Sequence, residues 1–204
     1  MPLIPGDPEP GEPGSEAGQK TAELLAELES DDPGRRHQVA LRLAERAECF
    51  PVVCHALVRE PAVEVRHAFF SGLIRLGNEN VVEFLVGLLR SEDPGLRSGA
   101  VDALTQMPQL FSAQLEDLIR DPDGDVRLLA INVLEGMRHP DVPKWLHRVL
   151  EDEEDVNICA AAINAMAGHA RETDIPLLEA VRARFADSPF VRFSVNAVLS
   201  EIGR

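Results

Sequence analysis

DPGLRSGAVDALTQMPQLFSAQLEDLI, residues 93–119, decides the architecture. Its apolar residues fall at Leu96, Ala100, Ala103, Leu104 and Met107, a spacing of 0, +4, +7, +8 and +11. They resume after a short turn at Phe111, Leu115, Leu118 and Ile119, spaced 0, +4, +7 and +8. Each set is one face of an α-helix. The first pattern returns as Val65, Phe69, Gly72, Leu73, Leu76, as Val126, Ala130, Val133, Leu134, Met137, and as Val191, Val195, Val198, Leu199, Ile202. The second returns as Phe50, Cys54, Leu57, Val58, as Val81, Leu85, Leu88, Leu89, and as Val142, Leu146, Val149, Leu150. Ile175, Leu178 and Val181 make a looser fifth version of it. Successive copies lie about 30 residues apart, the period of stacked helical hairpins and not of a single globular core.

The boundaries between helices carry matching chemistry. Asp32-Pro33, Glu60-Pro61, Asp93-Pro94, Asp121-Pro122 and Ser188-Pro189 each place a side-chain acceptor at an expected N-cap, with a residue lacking an N–H in the first turn. The hairpins are expected near 31–59, 60–91, 92–120, 121–151, 152–186 and 187–204, as one elongated domain within 20–204. A short helix from about Thr21 to Glu29, N-capped by Thr21, is expected to turn Leu24, Leu25 and Leu28 inward. Residues 1–19 are rich in Pro, Gly and Glu and cannot bury enough apolar surface to offset the entropy of ordering, so a disordered tail is predicted.

Charge narrows the choice of partner. The net charge of -15 repels phosphate backbones and anionic lipids, which disfavours nucleic acid and membranes and favours a protein with a basic or mixed-charge segment. No stretch is long and apolar enough to span a bilayer, and residues 1–18 lack a basic opening and an apolar signal core, so a cytoplasmic protein is expected. The three cysteines, with no export signal, read as free buried thiols; Cys49 and Cys54 have no second pair to complete a zinc site. Nucleotide-binding, nucleophile-elbow and zinc-protease motifs are absent, so no catalytic, cofactor-binding or metal residue is assigned.

One position after the start of the first pattern stands an arginine in five of six copies: Arg36, Arg66, Arg97, Arg127 and Arg192. Four residues earlier stand Asp32, Ala62, Asp93, Asp123 and Ser188. The column reads either as a stripe for an anionic ligand or, more simply, as a ladder in which one hairpin's arginine meets its own or the next hairpin's acid. The fifth copy breaks the pattern: its template is Ile158, Ala162, Ala165, Met166, His169, and Cys159 takes the arginine position. The interval also lengthens by two residues inside the acidic run Glu151, Asp152, Glu153, Glu154, Asp155. A local break in a regular array often marks function, so this run with Cys159 is a candidate partner-contact patch. Lys144, His147 and Arg148 form a basic cluster beside it, a candidate for an acidic segment of a partner.

The D-P-x-x-x-V-R-x-x-A pattern, clearest in Asp121–Ala130 (DPDGDVRLLA) and partly present in Asp93–Ala100 (DPGLRSGA), resembles the HEAT-like repeats first described in phycobilisome lyases. The resemblance spans residues 31–204. It implies an all-α, right-handed α-solenoid of about six HEAT-like hairpins and, as function, a protein-interaction scaffold, adaptor or regulatory subunit. Two enzyme classes share the repeat type. Deoxyhypusine hydroxylases hold di-iron with His-Glu dipeptides, whereas here the histidines are followed by Gln38, Ala56, Ala68, Pro140, Arg148 and Ala170. Phycobilin lyases imply tetrapyrrole handling, for which Arg36-His37 and Arg66-His67 are the available cations; Trp145 aligns with Phe84 and Leu177 and is expected in the core.

Overall fold

The computed structural model describes the backbone of residues 16–44 and 46–202, and side chains from Ala22 onward. The described residues are helical and contain no strand. They divide into two compact units, one up to Leu110 and one from Phe111.

In the first unit, α1 (Glu16–Glu27) precedes α2 (Pro33–Leu43) and α3 (Phe50–Arg59), then α4 (Val63–Leu76) and α5 (Glu79–Leu88), then α6 (Pro94–Thr105). Helix α7 (Pro108–Leu118) contains the division between the units. The first helices of successive hairpins pack side by side, α2 on α4 and α4 on α6. In the second unit, α8 (Gly124–Gly136), α9 (Val142–Asp152), α10 (Val156–Met166), α11 (Ile175–Arg184) and α12 (Pro189–Ile202) repeat the arrangement, with α8 on α10 and α10 on α12.

The core is the repeated apolar pattern. Val65, Phe69 and Leu73 are fully buried, as are Ala100, Leu104, Val126, Leu134 and Val195. So are Leu57, Leu85, Leu115 and Leu146 of the second helices, and Trp145 is buried with them. Fully burying a Val, Leu or Phe contributes ~1.5–3 kcal/mol, so these residues supply most of the drive to fold. Ile175 departs from expectation. It is 37% exposed, because it sits in the first turn of α11, where the helix has not yet turned its apolar face inward.

Three boundaries also differ from expectation. Thr21 lies inside α1, which begins at Glu16 and so takes in residues 16–19 of the expected tail; residues 1–15 of that tail lie outside the described residues. Of the three leucines, Leu24 is buried and Leu25 and Leu28 half-buried. The caps of α4 and α8 are Ala62 and Asp123, two residues beyond Glu60 and Asp121. Asp32, Asp93 and Ser188 stand where expected: Asp32 and Asp93 accept the Gly34 and Gly95 N–H groups at 2.9 and 2.7 Å, and Ser188 Oγ lies 3.3 Å from Val191 N.

Two glycines carry the closest approaches between hairpins. A Cβ at Gly99 would run into the Phe70 ring, and one at Gly72 would overlap Ala44 Cβ and come within 3.0 Å of the Ala44 backbone. A side-chain ring turns aside more readily than backbone. Gly72→Ala is therefore expected to lower stability by about 1–2 kcal/mol, because overpacking of ~1–3 kcal/mol outweighs a helix-propensity gain of ~1 kcal/mol. Urea denaturation checks this; a stabilised variant would contradict it.

Candidate functional site

The surface is organised by what happens at the start of each first helix. Two residues before the cap, where α12 has Ala186, five of the six first helices carry an oxygen-bearing side chain: Ser30, Glu60, Ser91, Asp121 or Glu153. Each accepts the N–H of its cap residue, Glu60 from Ala62 at 2.8 Å, Asp121 from Asp123 and Glu153 from Asp155 at 2.9 Å. Ser30 and Ser91 do the same for Asp32 and Asp93 at 3.3 and 3.2 Å. The backbone carbonyl of this residue receives the column arginine of its own helix: Arg36 on Ser30, Arg66 on Glu60, Arg97 on Ser91 and Arg127 on Asp121. Glu60 and Asp121 read as caps in the sequence and Glu153 as part of the acidic run; the shared signal is an oxygen-bearing residue six before the arginine at Arg36, Arg66, Arg97 and Arg127.

Three of these arginines also reach forward into the next hairpin. Arg36 grips Glu60 with two hydrogen bonds at 2.9 and 2.8 Å, Arg127 grips Glu153 at 2.8 and 3.1 Å, and Arg66 meets Asp93 at 2.6 Å. The i, i+4 pairing with Asp32 or Asp123 is not what forms: those carboxylates bind the N–H groups of Gly34 and Asp125, and the guanidiniums take the nearer acids ahead. Arg192 is exposed and has no ion pair among the described residues. Burial pushes the Glu60 carboxyl up, but the Arg36 guanidinium and the Ala62 N–H outweigh it and hold it below the usual range. Glu153 behaves alike, its burial outweighed by Arg127 and the N–H groups of Asp155 and Glu154.

At the junction of α9 and α10 the acidic run is split in two. Glu153 is buried against Arg127, and its Oε1 also accepts from Glu154 N at 3.1 Å. This removes Glu153 from the expected contact patch, since its charge is spent inside the molecule. Cys159 also leaves the patch: it is fully buried, with a thiol pushed up by burial against the opposing pull of Arg184. Glu151, Asp152, Glu154 and Asp155 remain exposed, with Asp155 capping α10 through Asn157 N at 2.8 Å. Arg184, whose charge opposes the upward push of burial on the Cys159 thiol, donates to the Glu151 and Leu150 carbonyls at 2.7 and 2.6 Å. The guanidinium that the column lacks at position 159 thus arrives from α11, and a cation there also suits the C-terminus of α9.

The basic cluster on α9 is similarly divided. Lys144 is exposed, Arg148 pairs with Glu116, and His147 Nε2 lies 2.9 Å from Asp174 Oδ1, out of line for a hydrogen bond. Lys144, His147, His169, Arg171 and Asp174 line an open cleft of about 470 Å³. A larger cleft of about 600 Å³ lies in the first unit among Leu25, Leu28, Pro51, Val52, His55 and Arg59. Among the described residues no three His, Cys, Asp or Glu side chains converge as metal ligands, and burial pushes the Cys54 thiol up to about 12. Arg36 and Arg66, the cations considered for tetrapyrrole propionates, are committed to carboxylates, and His37 Nδ1 contacts the Glu64 carbonyl at 2.9 Å. No described helix is long and apolar enough to cross a membrane.

A family profile described as HEAT repeats matches residues 50–116 and 112–200. No curated protein matches the chain. Among solved structures, a computationally designed armadillo repeat protein for modular peptide recognition is 16% identical, covering 88% of this chain and 98% of its own, with a TM-score of 0.40. The complex of CpcE and CpcF of phycocyanin lyase from Nostoc sp. PCC7120 is 16% identical over 96% of this chain and 98% of that one, at a TM-score of 0.37. Likenesses at this level carry no argument about what this chain binds.

Removing a gripping arginine strands a buried carboxylate. Arg127→Ala is expected to cost about 3–5 kcal/mol in urea denaturation, whereas Arg192→Ala, exposed and without an ion pair among the described residues, stays within about 0.5 kcal/mol. The depressed Glu60 and Glu153 contribute stability that is full above the unfolded carboxylate value, about 4.3, and is lost as pH falls through their folded values. The urea midpoint should therefore fall below about pH 4.3, less steeply in Glu153→Gln. Equal slopes in the two proteins would contradict this.

Proposed function

Because the chain belongs to the HEAT-repeat family, we propose that it is a protein-interaction scaffold, an adaptor or regulatory subunit that grips a partner through side chains left over from hairpin stacking. The partner segment is basic or mixed in charge. One observation supports this above the rest: the acidic turn between α9 and α10 is fixed from beneath. Glu153 is held by Arg127 and in turn holds the Glu154 and Asp155 N–H groups, so the backbone carrying the exposed Glu151, Asp152 and Glu154 is set before any partner arrives. A charged surface ordered in advance loses less entropy on binding and steers an oppositely charged segment. Lys144 on the preceding helix offers a contact for an acid in the same segment.

The test separates binding from folding. Glu151→Gln, Asp152→Asn and Glu154→Gln together leave Glu153 and Asp155 in place to hold the turn. Titration with a lysine-rich peptide, followed by affinity capture of partners, should show binding weakened about tenfold or more, with steeper loss in salt for the unaltered protein. Unchanged binding with unchanged helicity would reject this surface.

A further inference from the structure

The connection from α10 to α11 is longer than its counterparts. It runs over eight residues, 167–174, against two to six inside the other hairpins. Its length brings His169, Arg171 and Asp174 across from Lys144, His147 and Glu151, which stand at 0, +3 and +7 on one side of α9. The open cleft of about 470 Å³ lies between these two walls. One buried group ties them together. Asp174 is 4% exposed; one of its oxygens accepts the Arg171 N–H at 2.7 Å and the other lies 2.9 Å from His147 Nε2. Its charge is thus spent between the walls and not on the open side.

What remains available is cationic. Arg148 pairs with Glu116, whereas Lys144 and Arg171 are exposed and have no ion pair among the described residues. The whole chain holds 20 Lys and Arg against 35 Asp and Glu. The cleft reverses that balance, with Lys144, Arg148 and Arg171 against Glu151 and Asp174 before its two histidines are counted. The reversal ends at Glu151, which lines the cleft and also begins the exposed acidic turn. A polyanion running on past the cleft would meet Glu151, Asp152 and Glu154, so nucleic acid and polyphosphate fit it poorly. An acid followed by a base satisfies both signs. Lys144 and Glu151 lie about 10 Å apart along α9 at ~1.5 Å per residue, a distance that an extended segment covers in about three residues.

We propose that this cleft takes a carboxylate of the same partner segment whose bases meet the acidic turn, so that the recognised segment carries an acid and a base about three extended residues apart. The inference rests on the reading of the acidic turn as a contact and adds the acid-binding half to it. Lys144 and Arg171, on opposite walls, supply the charge that meets the carboxylate. Both halves are ordered in advance, the turn by Glu153 and the cleft by Asp174.

Fluorescence anisotropy with two synthetic peptides and the full chain tests it. One peptide joins a lysine block through a short glycine linker to a glutamate block; the other has glutamine in place of glutamate. Net charge alone predicts that glutamates weaken binding to a chain of -15. The cleft predicts the opposite, with the glutamate peptide bound about fivefold or more tighter. Lys144→Gln with Arg171→Gln should remove that advantage with helicity unchanged. Glutamates that weaken binding or change nothing, or an advantage that survives in the double variant, would overturn the cleft and leave the acidic turn standing, provided that the glutamine peptide still responds to Glu151→Gln, Asp152→Asn and Glu154→Gln. A glutamine peptide indifferent to that triple change, with the glutamate advantage intact, would instead strike the acidic turn and keep the cleft. Failure of both peptides to bind would overturn both.

Discussion

Three hairpins in this chain are each fixed to the next by a guanidinium that does two things at once. Arg36, Arg66 and Arg127 bind the carbonyl six residues behind them and a carboxylate ahead of them. The planar fork of arginine, with five donors, serves both directions without a change of rotamer; a lysine would serve one. For Arg36 and Arg127 the carboxylate ahead is itself the residue that accepts the cap N–H of the next first helix. The start of one helix is therefore tied to the side of the one before it.

Apolar burial and this polar relay contribute differently. Dozens of buried Leu, Val, Ala and Phe side chains at ~1.5–3 kcal/mol for the larger ones dwarf a few ion pairs, and a buried pair can do little better than offset its own desolvation. The pairs instead restrict how hairpins stack, since a slip of one residue would leave Glu60 and Glu153 buried without partners. The same geometry decides what the surface has to offer. At the turn between α9 and α10 it consumes Glu153 and leaves its neighbours projecting from a fixed backbone, which is the basis of the proposed protein contact.

Much of this was legible in advance. Period, helix pairing and nearly all core positions follow from the spacing of apolar residues, because a helical face must be hidden and only a neighbouring hairpin can hide it. The errors cluster at helix starts. Glu60-Pro61 and Asp121-Pro122 look like caps, yet the proline lies outside the helix and the cap falls two residues after the acid, so that the acid can hold the cap N–H from outside. Sequence spacing does not reveal which acid a long arginine will choose, and so Glu153 read as surface when it is buried. Cys159 read as a break in function, whereas Arg184 from a distant helix fills the gap, a substitution visible only in three dimensions.

The most direct measurement of the relay is a double-mutant cycle on one rung, Arg36→Met and Glu60→Gln, singly and together, by urea denaturation of the full chain. If the guanidinium couples adjacent hairpins as described, the two changes are strongly non-additive, with a coupling of about 1–3 kcal/mol and the double variant more stable than Arg36→Met alone. Additivity within about 0.5 kcal/mol would mean that the hairpins are held by apolar packing only, and the account would be wrong.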